Sequence, residues 1–79
     1  MTLLTRQGCP MCDRAGDELA TLVLDFPVDY QVIDVDEVAG ERPELRAEYG
    51  DRLPVILLDG AEHSYWEVDS ARLRADLTR

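Results

Sequence analysis

Two cysteines, Cys9 and Cys12, with only Pro10 and Met11 between them, constrain this chain more than any other stretch. An apolar run, Thr2 to Thr5, leads into them, and a helical pattern from about Cys12 to Leu24 leads out. The pair therefore lies where a strand hands over to a helix. A helix N-terminus carries unpaired N–H groups and positive partial charge. Both favour thiolate over thiol at the first sulfur, Cys9, and the thiolate is the nucleophile. Pro10 falls near the first helical position, where a missing N–H costs little. Cys12, one turn in, is placed to attack a mixed disulfide formed at Cys9. Two blander readings stay beside this one. A structural bridge closing so small a loop constrains little of the unfolded chain. A zinc site needs four ligands, and His63 and carboxylates are the remaining donors. The cysteine pattern favours a redox pair over a metal or cluster site shared between chains.

The helix after the cysteines repeats Ala15, Leu19, Leu22 and Val23 at helical spacing. Asp13 in its first turn suits the helix dipole but opposes a thiolate at Cys9. Gly16 suggests close packing on the sheet, and Pro27 stops the helix. Val28 to Val35 alternates as a second strand, so a right-handed βαβ unit with parallel strands is expected. The acidic run Asp34, Asp36 and Glu37 reads as a solvated strand end. Pro43 to Tyr49 is a short helix capped by Gly50, with Leu45 and Tyr49 facing the sheet. Leu53 to Leu58 is an apolar third strand opening on a proline. Asp59-Gly60 signals a hairpin, and Ala61 to Trp66 returns antiparallel as an edge. Alternation puts His63 with Tyr65 on one face and Ser64 with Trp66 on the other. One aromatic ring then packs under the last helix, the other covers the edge, and His63 is a surface residue. Asp69 or Ser70 caps that last helix, Val68 staples onto Leu73, and Ala71, Leu73 and Leu77 form its apolar face.

The order β-α-β-α-β-β-α predicts an α/β thioredoxin-type fold, one domain over 1–79, with a four-stranded mixed sheet flanked by helices. A chain of 79 residues that is 46% hydrophobic is globular and small. Its formal net charge of −9, with no lysine among its eight cations, argues against nucleic acid and anionic membrane surfaces as partners, since both need basic patches. No run is long and apolar enough to span a bilayer. One cysteine pair with no secretory segment points to the cytoplasm.

The whole chain resembles a glutaredoxin. The segment Arg6-Gln7-Gly8-Cys9-Pro10-Met11-Cys12 after the first strand is similar to that family's dithiol motif, where Tyr commonly takes the place of Met11. Arg52-Leu53-Pro54-Val55 is similar to the segment whose proline is cis and faces the active site, and the Asp59-Gly60 hairpin precedes a capped helix. The resemblance implies a cis bond at Leu53-Pro54, with Pro54 beside the disulfide and Leu53 offering backbone groups to a peptide or glutathione. Arg6 matches the family's cation before the first cysteine, as a neighbour of the thiolate or a partner for a ligand carboxylate. Asp69 either caps its helix or meets a ligand amine. Met11 would be exposed and touch the partner. One departure argues against ordinary glutathione binding: Ser64-Tyr65-Trp66-Glu67-Val68-Asp69 stands where the family carries Gly-Gly.

The expectation is a thiol–disulfide oxidoreductase, monomeric and without a resident cofactor or metal. Its partners would be a disulfide-containing protein substrate and a reductant, either glutathione, another low-molecular-weight thiol, or a flavoprotein. The rival readings are a non-enzymatic iron–sulfur or metal carrier, and a binding module on the same fold.

Overall fold

A computed structural model describes residues 1–78. The element order is β1 (Thr2–Thr5), α1 (Pro10–Leu22) with a 3-10 turn at Val23–Asp25, β2 (Gln31–Asp34), α2 (Pro43–Tyr49), β3 (Val55–Leu58), β4 (Ala61–Tyr65) and α3 (Ser70–Leu77). The sheet order is β2-β1-β3-β4. β1 and β2 run parallel, with Leu3 opposite Val32, whereas β3 is antiparallel to both β1 and β4. This is the mixed four-stranded, thioredoxin-like arrangement that the pattern predicts.

Consecutive apolar residues in the central strands serve opposite faces of the sheet. Leu3 and Ile56 pack with Ala15, Leu19 and Leu22 of α1 and Leu73 of α3. Leu4 and Val55, their chain neighbours, pack with Val35 and with Leu45 of α2. Both strands are thus buried on both sides, and a slip of one residue would exchange the two faces.

The second strand is shorter than its alternation suggests. Within the strand only Gln31–Asp34 pairs, and Val32, on the edge of the sheet, is 54% exposed, bordering an open cleft beside Gly16 and Ala20 of α1. Gly16 is not required by packing, since an added Cβ would meet Leu3 Cδ2 at 3.7 Å, an ordinary contact. Gly50 ends α2 in a right-handed conformation, φ −61°. Ala71 is exposed, so α3 anchors through Leu73, with Leu77 and Val68 packed beside that cluster. The hairpin turn at Asp59-Gly60 has φ of 54° and 81°, both left-handed, as a two-residue turn of this kind demands.

The acidic run is more than a solvated strand end. Asp34 Oδ1 accepts the N–H groups of Asp36 and Glu37 at 2.9 and 3.1 Å, which turns the chain out of β2. Asp36 receives a two-pronged Arg6 guanidinium at 2.9 and 3.0 Å.

Candidate active site

The topology brings three loops to one end of the sheet. β1 runs toward Cys9. Pairing of Leu4 with Val55 puts Pro54 at that end, and pairing of Val55 with Tyr65 adds the end of β4. Gly8 permits the turn into the cysteines with φ +73°.

Cys9 is the N-cap of α1, extended at φ −115°, ψ 98°, and Pro10 opens the helix. The Cys9 sulfur accepts the Cys12 N–H at 3.1 Å. It therefore occupies the place that a serine or aspartate oxygen fills in ordinary caps, satisfying an orphan donor. The same N–H and the helix dipole would stabilise a thiolate there. Cys9 is partly exposed, Met11 is 45% exposed and Cys12 is 1% exposed. The two sulfurs are bonded as a disulfide, with Cα atoms 5.2 Å apart.

The sheet side of the site carries the second motif. The Leu53–Pro54 peptide is cis and Pro54 is buried. The Pro54 carbonyl accepts the Trp66 N–H at 2.8 Å, which carries the β3–β4 pairing one residue past the strand. Trp66 itself has φ +69°, and its ring meets that of Tyr65 edge-on at 5.1 Å.

Arg6 is committed to the scaffold. Besides Asp36, it donates to the Gly50 carbonyl at 3.2 Å, so one side chain joins the loop after β1, the loop after β2 and the end of α2. This guanidinium holds the Asp36 carboxyl below its ordinary range. Arg52 does similar work further along: it grips Glu62 of β4 at 2.8 and 3.0 Å and the Glu48 carbonyl at 2.7 Å. That contact lowers the Glu62 carboxyl in the same way. Asp69 caps α3, its Oδ1 accepting the Arg72 N–H at 3.2 Å.

Two expectations for β4 are corrected. His63 is not a surface residue, because its side chain is 6% exposed and Nε2 lies 2.7 Å from Asp76 Oδ2 on α3. The reason is a bulge. Leu57 faces Glu62 and Ile56 faces Ser64, so His63 is an extra residue between them and turns toward α3. Neither aromatic ring packs under the last helix, since Tyr65 is 48% and Trp66 53% exposed. Trp66 instead lines a shallow cleft with Met11, Arg14 and Glu18 of α1 and with Val68. The structure thus brings Met11 and Trp66 together, which alternation along β4 does not foretell.

A cysteine-capped helix and a buried cis-proline at the same end of a mixed sheet fit a thiol redox role on a thioredoxin-like fold. The chain belongs to the glutaredoxin-like family: the description "Glutaredoxin-like domain (DUF836)" matches residues 1–78. Among its relatives are Uncharacterized protein Mb0520 of Mycobacterium bovis and Uncharacterized protein Rv0508 of Mycobacterium tuberculosis. Each is 59% identical over 78 residues, covering 98% of this chain and 80% of the relative. The X-ray structure of target protein XcR50 from X. campestris is similar at a TM-score of 0.70 and 30% identity, over 98% of this chain and 93% of that one. No helix among the described residues is long and apolar enough to cross a membrane.

Proposed function

We propose that this protein is a thiol–disulfide oxidoreductase that reduces protein or mixed disulfides through Cys9 and Cys12. One observation carries the reading. Cys9 is partly exposed and caps α1 with its sulfur on the Cys12 N–H, while Cys12 is buried. The asymmetry supports a division of labour. The Cys9 thiolate attacks one sulfur of the substrate disulfide; that bond breaks and the other substrate sulfur leaves as a thiol after taking a proton. Cys12, deprotonated, then attacks Cys9 Sγ. The mixed disulfide breaks, the second substrate thiol is released, and the Cys9–Cys12 disulfide holds the two-electron oxidation. Two equivalents of a thiol, or a flavoprotein, would return the pair to the dithiol.

Pro54 would border the approach to the sulfurs, with Leu53 offering backbone groups and Met11 touching the substrate. Arg6 would act as a positioning residue for the Cys9 loop through Asp36 and Gly50. Asp69 would act through α3, whose first turn it caps. A reducing compartment such as the cytoplasm suits a dithiol that must be recycled.

Turnover of a small disulfide with reductant in excess tests this reading. Cys9→Ser should leave only the uncatalysed rate. Cys12→Ser should accumulate a mixed disulfide on Cys9, visible as an adduct by mass spectrometry and removed by dithiothreitol. A Cys9→Ser variant that still turns over would refute the assignment.

A further inference from the structure

The redox end of the molecule exposes more apolar surface than packing accounts for. Met11, Tyr65 and Trp66 are each about half exposed, Tyr65 and Trp66 touch, and Trp66 and Met11 share one cleft. Trp66 also holds a left-handed backbone, φ +69°, which a bulky side chain adopts only under strain. A glycine would accept that φ freely. The fold therefore carries two costs at one residue, strain and an exposed indole, and the Pro54–Trp66 hydrogen bond needs only the backbone. Strain of this kind beside a reactive pair points to a contact made with something outside the chain.

The charges nearby say what that contact is. Glu18 and Glu67 border the cleft, and neither has an ion-pair partner among the described residues. Arg14 is the cation that lines it among those residues. Glu18 accepts only the Ser70 hydroxyl, at 3.3 Å, which leaves its charge uncompensated. Two carboxylates without a cationic partner among the described residues, against one guanidinium, in a chain of net charge −9, leave this end negative. Exposed indole and phenol faces with charge-uncompensated carboxylates beside them attract a guanidinium or ammonium group. The same field disfavours an anionic thiol such as glutathione.

We propose that Met11, Tyr65 and Trp66 form the docking surface for a polypeptide that carries an arginine or lysine beside its disulfide-bonded cysteine, and that this surface selects such a partner over anionic disulfides. The inference rests on Cys9 as the attacking sulfur and names the substrate class for that site. The partner's cation would lie over the Trp66 or Tyr65 ring, with Glu18 and Glu67 as its counter-charges and Met11 against its aliphatic stem.

The test uses the reduced full chain and three probes: a disulfide-linked dimer of a short peptide with arginines flanking its cysteine, the same dimer with glutamates in place of the arginines, and neutral hydroxyethyl disulfide. The expected result is a kcat/KM for the arginine dimer that exceeds that for the glutamate dimer by about fivefold or more at low salt, narrowing as salt is added. Trp66→Gly should bring that ratio down toward one without lowering Tm, and Trp66→Phe should restore most of it. Glu67→Gln should lower the ratio by about half. A ratio near one in the unsubstituted protein, or one that Trp66→Gly leaves unchanged, would overturn the proposal while hydroxyethyl disulfide reduction upholds the redox reading. Failure to reduce hydroxyethyl disulfide at all would overturn both.

Discussion

The helix side and the strand side of the redox centre are built by different rules. On the helix side every feature is local. Cys9 caps, Pro10 starts the helix, and Ala15, Leu19 and Leu22 bury one face. On the strand side the features depend on partners far along the chain. The cis-Pro54 loop meets β4 through the Trp66 N–H, and a bulge at His63 decides which residues face α3. The helix side supplies chemistry and can be read residue by residue. The strand side supplies shape, and one extra residue in one strand rewrites it.

Cys9→Ser should show the largest effect and tests whether the chemistry lies wholly on the helix side; turnover should fall to the uncatalysed rate. Cys12→Ser should stop at the trapped adduct. Next is Leu19→Ala, which removes a fully buried side chain joining α1 to both α3 and the sheet. It should cost about 2–5 kcal/mol, read by urea unfolding. His63→Ala probes the strand side. It breaks the contact with Asp76 and empties a buried position, so about 1–3 kcal/mol should be lost. A loss within a few tenths would mean that the bulge merely tolerates His63. Gly16→Ala should act in the opposite direction, raising stability by up to about 1 kcal/mol, because the added Cβ finds only ordinary contact.

The smallest effects are those of pH. The Asp36 and Glu62 carboxyls are lowered in the fold by Arg6 and Arg52. Their contribution is complete above their ordinary values of 3.8 and 4.5 and is lost as pH falls through the lower values they take in the fold. Asp36→Asn and Glu62→Gln should each flatten the acid limb of the stability curve. An unchanged limb would show that these arginine contacts are screened by solvent.

How much was legible in the sequence follows the same division. Leu3-Leu4 and the apolar run after Pro54 announce two-sided central strands. Asp59-Gly60 announces the hairpin, and Asp69 announces the start of α3. Each rests on neighbours within a few residues. Val28 to Tyr30 alternates like a strand yet lies outside β2, meeting the start of β1 only where the Met1 amine donates to the Asp29 carbonyl at 2.7 Å. The Arg6–Asp36 pair spans 30 residues, beyond the reach of any local pattern. His63 and Trp66 were misplaced together, since alternation assumes an unbroken period of two and the bulge adds one residue. The dipeptide Tyr65-Trp66 in place of Gly-Gly was the available signal. It marked the location of the departure but not the left-handed turn that aims the indole at Met11.

Trp66 has one more consequence. It is the chain's single tryptophan, half exposed at the redox end. A disulfide quenches indole emission when the two lie close, and a dithiol does so less. Trp66 is thus the one indole to report on events at that end. Emission intensity should climb as the Cys9–Cys12 bond opens, and a cation settling over the ring should perturb it again, so oxidation state and docking can be followed in one cuvette without a label.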